Sequence, residues 1–139
     1  AAMSDTWATE FGKLSKKRPV SIITLLPIQH GLSGGITRIG TLGSLLGACL
    51  MGMLIWYIFP MPNFIIYGII LSGFLAALID SILGATVQGK YETQTGEIIE
   101  NPEAGTLLIS GHRWVTNDMV NLINTAAAPI LMYIFLYLF

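Results

Sequence analysis

The chain has 139 residues, of which 53% are hydrophobic and 11% charged, with a mean hydropathy of +0.68. Soluble domains carry about 25% charged residues, so this composition excludes an ordinary water-soluble domain and indicates a membrane protein. A formal net charge of −1 excludes strong attraction to nucleic acid, and a single cysteine, Cys49, excludes an intrachain disulfide.

"AAMSDTWATEFG" opens the chain as if partway along a helix, without an initiating methionine, and "PILMYIFLYLF" closes it inside an apolar run. The expectation is the C-terminal part of a larger membrane protein, with missing N-terminal helices as partners of this chain. Within the opening segment Asp5 and Thr9, Thr6 and Glu10, and Thr9 and Lys13 stand at helical spacing. Lys16, Lys17 and Arg18 follow as a basic cluster, which is first a topology signal and second a headgroup or phosphate contact.

"HGLSGGITRIGT" then gathers Gly31, Gly34, Gly35 and Gly40 around Ser33, Thr37 and Thr41. Clustered glycines let backbone N–H groups approach an anion, and a helix starting near Arg38 adds its positive end. No GK[ST] follows, so this is not a Walker A loop. A re-entrant turn packed on small-faced helices is the alternative reading. Residues 1–38 thus form a polar helix and a Gly-rich loop.

Three runs, 39–59, 64–88 and 119–139, reach the roughly 20 residues needed to span a bilayer. Pro60 to Asn63 turn tightly between the first two, and a polar loop, 89–118, separates the second from the third. The fold class is therefore all-α: a polytopic transmembrane bundle of three spanning helices, treated as a single membrane domain over 1–139. Every Lys and Arg lies in 1–38 or 89–118, so the positive-inside rule turns both segments to the cytosol. Trp56, Tyr57 and Tyr67 fall near the outer interface.

Each span offers a small or polar face, the kind that turns toward neighbouring helices in a membrane. In the first, Gly40, Gly43, Ser44, Gly47 and Ala48 oppose Leu42, Leu45, Cys49, Met53 and Trp56. Cys49 reads as a small packing residue. In the second, Gly73, Ala76, Ala77, Asp80, Ser81, Gly84 and Gln88 oppose Leu71, Leu75, Leu78 and Ile82. In the third, Asn117, Asn121 and Asn124 form a stripe with Asp118 and Thr125 beside it.

Asp80 sits about 15 Å of helix rise from Lys90. An ionised carboxylate at the bilayer centre costs about 2.5–3.5 kcal/mol, so it needs a partner or a wet cavity. Asp5, Glu10, Asp80 and Asp118 are the acids that could do chemistry, because Mg²⁺ takes one or two carboxylates plus phosphate oxygens and waters. A hydrogen bond tying two helices is the structural alternative for Asp80, and a first-turn helix acid is the alternative for Asp118. His30 and His112 lack metal-ligand spacing and read as loop residues.

Taken in order, "SDTWATEFGK", "GLSGGITRIGT", "LIDSILGATVQ" and "NDMVN" resemble a family of integral membrane proteins, long of unknown function, that contains animal transmembrane protein 19 and the plant phytyl-phosphate kinase. Its members show a DTWASE-like stretch, a G-x-x-G-G-[VI]-[ST] loop, a DS-x-LGA-x-x-Q helix and a late N-x-x-x-N element. Here these fall at Asp5 to Glu10, Gly31 to Thr41, Asp80 to Gln88, and Asn117 to Asn121, with Leu32 where the family commonly has a small polar residue.

The resemblance implies a polytopic helical enzyme that phosphorylates an isoprenoid monophosphate, using CTP or ATP. A fainter similarity links it to CTP-dependent lipid kinases and phosphatidate cytidylyltransferases. On that reading Asp5, Glu10 and Asp80 hold Mg²⁺, while Gly31, Ser33, Gly34, Gly35 and Thr37 cradle nucleotide phosphates. Lys13 and Arg38 balance charge, and Gln88, Asn117, Asn121 and Asp118 complete a polar cavity. The lipid bilayer and an isoprenoid-phosphate substrate are then the partners. A transporter or channel also uses a broken Gly-rich segment and an intramembrane acid, and a structural subunit without catalysis is the third class.

Overall fold

The computed structural model describes residues 1–139 and is mostly helical. Helix α1 runs over Ala2–Lys13, α2 over Arg38–Ile58, α3 over Asn63–Thr86 and α4 over Asn117–Leu138. The last three are long and apolar enough to cross a membrane. Their exposed faces carry Leu42, Leu45, Met53 and Trp56 on α2 and Leu122, Ile130 and Tyr133 on α4. In water such faces would be a liability; in a bilayer they meet lipid.

Small residues set the packing. Gly40, Gly43, Ser44, Gly47, Ala48 and Gly52 are the buried residues of α2. A Cβ on Gly43 would stand 2.7 Å from the carbonyl oxygen of Trp7, and one on Gly47 would stand 2.7 Å from that of Met3. The backbones of α1 and α2 therefore touch along this stripe and run antiparallel, since rising numbers on one meet falling numbers on the other. Ser4, fully buried, donates from Oγ to the Ser44 carbonyl oxygen at 2.8 Å, and the two hydroxyls are also 2.8 Å apart.

The same device joins the remaining helices. Gly52 of α2 receives Ile66 and Ile70 of α3, and Gly68 of α3 receives Met132 and Phe135 of α4. Without a hydrophobic drive between helices in lipid, close backbone approach and hydrogen bonds hold such a bundle. Thr37 starts α2, its Oγ1 accepting from the Gly40 N–H at 3.0 Å, and Thr116 caps α4 in the same way. Pro129 lies inside α4; its ring cannot donate a backbone hydrogen bond there.

Two pieces of sheet lie outside the helices. Strands β1 (Val20–Ser21) and β2 (Gly35–Ile36) pair antiparallel and bracket the Gly-rich loop. The segment 89–118, expected as a polar loop, carries β3 (Lys90–Glu92), β4 (Ile98–Ile99) and β5 (Leu107–Ser110) in the antiparallel order β4-β3-β5. Gln88, expected at the end of the second span, falls beyond α3. It makes a parallel bridge with His112, and the His112 N–H donates to the Val87 carbonyl at 2.9 Å. The sheet is thereby fastened to the end of α3, with Tyr91 and Val115 buried beneath it.

Candidate functional site

A cavity of about 800 Å³ opens between α1, the start of α2, the C-terminal half of α3 and the Gly-rich loop. Its walls are mainly polar. From α1 come Asp5, Thr6 and Thr9; from α3 come Asp80 and Ser81; from the first turns of α4 come Asn117 and Asn121. The loop contributes Gly31, Ser33, Gly34, Gly35 and Thr37. Glu10 and Lys13 stand at its edge as an exposed ion pair, Nζ to Oε1 at 2.6 Å.

Helix geometry brings Asp5 and Asp80 together. The glycine stripe of α2 lets α1 lie close enough for Asp5 to reach the small-residue face of α3 that carries Asp80. The two carboxylates line the same cavity. Asp80 Oδ1 is buried without a hydrogen-bond partner, and so is Oδ1 of Asn124, whose side chain lies beside it at 2% exposure. Buried polar atoms are almost always paired, with protein, water or ligand. Asp80 thus lines the polar cavity while one of its carboxylate oxygens is buried without a partner.

The loop is seated on α3 by close contact. Gly84 is buried, and a Cβ there would fall 2.8 Å from Cβ of Ser33. Gly34 has φ +82° and touches the backbone of Ala85. Glu100 clamps this arrangement from the sheet side. Its carboxylate accepts from the Ser33 N–H, from Ser33 Oγ at 2.8 Å and from Gln88 Nε2 at 2.8 Å. Lys90 Nζ donates to the Ser33 carbonyl oxygen at 3.2 Å. Burial lowers the Lys90 ammonium below its ordinary range, while the Glu100 carboxylate acts in the opposite sense.

Several residues singled out in the sequence do not join the cavity wall. Arg38 points to the exposed side of the first turn of α2. Asp118 is exposed in the first turn of α4, one step around the helix from the inward stripe, where an acid complements the positive helix end. Gln88 is fully buried behind the loop and reaches the cavity only through Glu100. Glu10 does reach the cavity edge, but it lies five residues past Asp5, roughly 140° around α1, which turns it to Lys13 instead of to Asp80.

No three acid, histidine or cysteine side chains cluster as a metal cage, so Asp5, Glu10 and Asp80 do not form the expected trio. Asp5 and Asp80 on one polar wall match in number the one or two carboxylates that Mg²⁺ takes beside waters and phosphate oxygens.

The residues that sequence reasoning missed are Glu100 and Lys90, along with Asn124 as the neighbour of Asp80. A signal for the first two was available. "KYETQTGEIIE" has β-prone residues on either side of a turn with glycine, a hairpin pattern. Gly96 at φ +81° completes that turn, and Thr93 and Glu97 are hydrogen-bonded across it.

Three membrane-crossing helices packed by glycine, enclosing a carboxylate-bearing cavity beneath a Gly-rich loop, define a polytopic integral membrane protein. The chain belongs to the family described as integral membrane protein DUF92, whose model matches residues 1–129. It is similar to Protein PGR of Arabidopsis thaliana, at 30% identity over 86% of this chain and 46% of that protein. It is also similar to an uncharacterized membrane protein of Methanocaldococcus jannaschii, at 37% identity over 65% of this chain and 37% of that one. An uncharacterized membrane protein of Synechocystis is 31% identical over 88% of this chain and 40% of its own length. The chain thus spans less than half the length of these relatives. No solved structure matches it.

Proposed function

We propose that the cavity serves a nucleotide-dependent kinase that phosphorylates an isoprenoid, phytyl-type monophosphate. The observation that carries this reading is the pair of carboxylates, Asp5 and Asp80, facing one polar cavity under a Gly-rich loop. Phosphoryl transfer depends mostly on positioning and charge neutralisation, so its sites combine metal-binding acids with backbone donors and cations. The resemblance of the four sequence motifs supports the same class.

In this reading Asp5 and Asp80 hold Mg²⁺, which would neutralise the charge of the transferring phosphate. The loop from Gly31 to Thr37 holds the phosphates of CTP or ATP by backbone N–H groups and by the Ser33 and Thr37 hydroxyls. Asn117 and Asn121 orient the lipid phosphate by amide hydrogen bonds. A phosphate oxygen of the monophosphate attacks the terminal phosphorus of the nucleotide. The bond to the nucleotide's bridging oxygen breaks, and a diphosphate and a nucleoside diphosphate result. The isoprenoid tail passes between helices into the bilayer. Segments 1–38 and 89–118 face the cytosol, where the nucleotide is, in keeping with their holding all seven Lys and Arg residues.

The test uses full-length protein in detergent with radiolabelled CTP or ATP, Mg²⁺ and phytyl or geranylgeranyl monophosphate, with products separated by thin-layer chromatography. Isoprenyl diphosphate from wild type and none from a folded Asp80→Asn variant is the expected result. Folded protein that makes no diphosphate with either nucleotide overturns the kinase reading. Asp80→Asn turning over normally, with unchanged Mg²⁺ dependence, overturns the role given to Asp80.

A further inference from the structure

The contact between Glu100 and the Gly-rich loop has the chemistry of a filled anion site. Three donors end on its carboxylate: the Ser33 backbone N–H, the Ser33 hydroxyl and the Gln88 amide. The Lys90 ammonium is held nearby by the Ser33 carbonyl and makes no ion pair with Glu100. Backbone N–H, hydroxyl and amide donors converging on one carboxylate, with an ammonium held nearby, are what a phosphoryl group requires. The orientation of the Gln88 amide is fixed by the carboxylate it faces, because a flipped amide would oppose two oxygens.

We propose that Ser33, Gln88 and Lys90 form a subsite for a phosphoryl oxygen, and that Glu100 is its built-in occupant, displaced when a phosphate binds. Exchange of carboxylate for phosphate leaves every donor satisfied, so it costs the loop no hydrogen bonds. The carrier of Glu100 is suited to moving. It follows the two-residue strand β4, an edge strand of its sheet, between the turn at Gly96 and the exposed segment 101–105.

Charge gives the displacement a purpose. Asp5, Glu10, Asp80 and Glu100 all line the cavity, with Lys13 already paired to Glu10. With Glu100 in place, its charge adds to the acids of the cavity wall and opposes that of the nearby Lys90; with Glu100 withdrawn, the Lys90 charge favours an incoming anion. The fold thus carries an autoinhibitory contact that a phosphate must compete away. This deepens the kinase reading and rests on it only for which phosphate arrives, that of the nucleotide or that of the lipid.

The experiment measures binding of inorganic tripolyphosphate to full-length protein in detergent by calorimetry, for wild type, Glu100→Gln and Glu100→Gln with Lys90→Met. Charge-assisted hydrogen bonds contribute about 1.5–3 kcal/mol, so Glu100→Gln is expected to bind about ten-fold tighter than wild type or more. Adding Lys90→Met is expected to remove that gain. A folded Glu100→Gln variant that binds no tighter than wild type overturns the proposal and makes Glu100 a structural clamp.

Hydrogen exchange on wild type tests the same point without a variant. Saturating tripolyphosphate should speed exchange of the amides from Ile98 to Asn101, and unchanged or slowed exchange there overturns displacement. Geranylgeranyl monophosphate as competitor in the Glu100→Gln variant assigns the subsite to the lipid phosphate if it displaces tripolyphosphate, and to the nucleotide if it does not. Tighter tripolyphosphate binding without any diphosphate product leaves the subsite standing while the kinase reading falls. Diphosphate formation with unaltered binding in Glu100→Gln does the reverse.

Discussion

Gly31 and Gly34 offer a controlled comparison, because both have positive φ, +88° and +82°, yet their surroundings differ. Alanine at either position carries the left-handed backbone strain, roughly 1–2 kcal/mol. At Gly31 nothing lies within 4 Å of an added Cβ. At Gly34 the Cβ would stand 2.5 Å from N, Cα and Cβ of Ala85. Those are backbone atoms of a spanning helix, so relief requires the loop to lift from α3. Overpacking of this kind adds roughly 1–3 kcal/mol. The expected destabilisation is therefore about 1–2 kcal/mol for Gly31→Ala and about 2–5 kcal/mol for Gly34→Ala. Equilibrium unfolding of each variant in mixed micelles with rising dodecyl sulfate, followed by far-ultraviolet circular dichroism, reads the difference directly. Equal losses for the two variants, or a neutral Gly34→Ala, would refute the seating of the loop against Ala85.

The Ser4 hydroxyl bridges α1 to α2 in a buried setting, so Ser4→Ala is expected to lower stability by about 1 kcal/mol in the same unfolding experiment. A lysine with a lowered folded-state pKa binds fewer protons folded than unfolded, so Lys90 makes stability rise as pH climbs from that lowered value toward 10.5. Lys90→Met should flatten this part of the stability–pH curve, and an unaltered curve would assign the rise to another group. In a Cys49→Ser background, Thr95→Cys should react with an impermeant maleimide only from the cytosolic side and Met61→Cys only from the other; the opposite pattern inverts the topology. Asp80→Leu removes a half-buried carboxyl with one unpaired oxygen, so its melting temperature should hold or rise while, on the kinase reading, isoprenyl diphosphate formation is lost. A fall of many degrees would instead mark Asp80 as a strut between helices.

Much of this architecture is legible in the sequence because membrane helices encode their environment plainly. The small-residue face of the first apolar run, Gly40 to Ala48, is the face that α2 buries, and the Gly73 to Gly84 face of α3 follows the same rule. Apolar residues cannot tell a helix which neighbour to choose in lipid, so small and polar ones must. Other features resist such reading. Asp118 and Asn117 are adjacent in sequence, and only the 100° step between them decides that Asn117 lines the cavity while Asp118 faces away. Glu10 looked equivalent to Asp5 as a ligand, but its nearest cation lies three residues further along its own helix. Glu100 was illegible for a different reason. Its partners, Ser33 and Gln88, are 67 and 12 residues away, and a three-stranded sheet of short strands brings them together. Strands of two to four residues carry little periodicity of their own.

The distribution of satisfied and unsatisfied groups separates scaffold from site. Where α1 meets α2, the buried hydroxyls of Ser4 and Ser44 answer each other, and glycines bring the backbones into contact. Those contacts complete themselves, as a scaffold should. Where α3 passes α4, Asp80 Oδ1 and Asn124 Oδ1 are both left unpaired, at a cost of about 1–3 kcal/mol for each buried group. A bundle selected only to hold together would have replaced them with leucine or alanine, which pack helices in lipid without that cost. Gln88 Oε1 is the third such atom, and it belongs to the residue that also holds Glu100. Two of the three unpaired oxygens thus belong to a residue of the cavity wall, Asp80, or of the Glu100 clamp, Gln88.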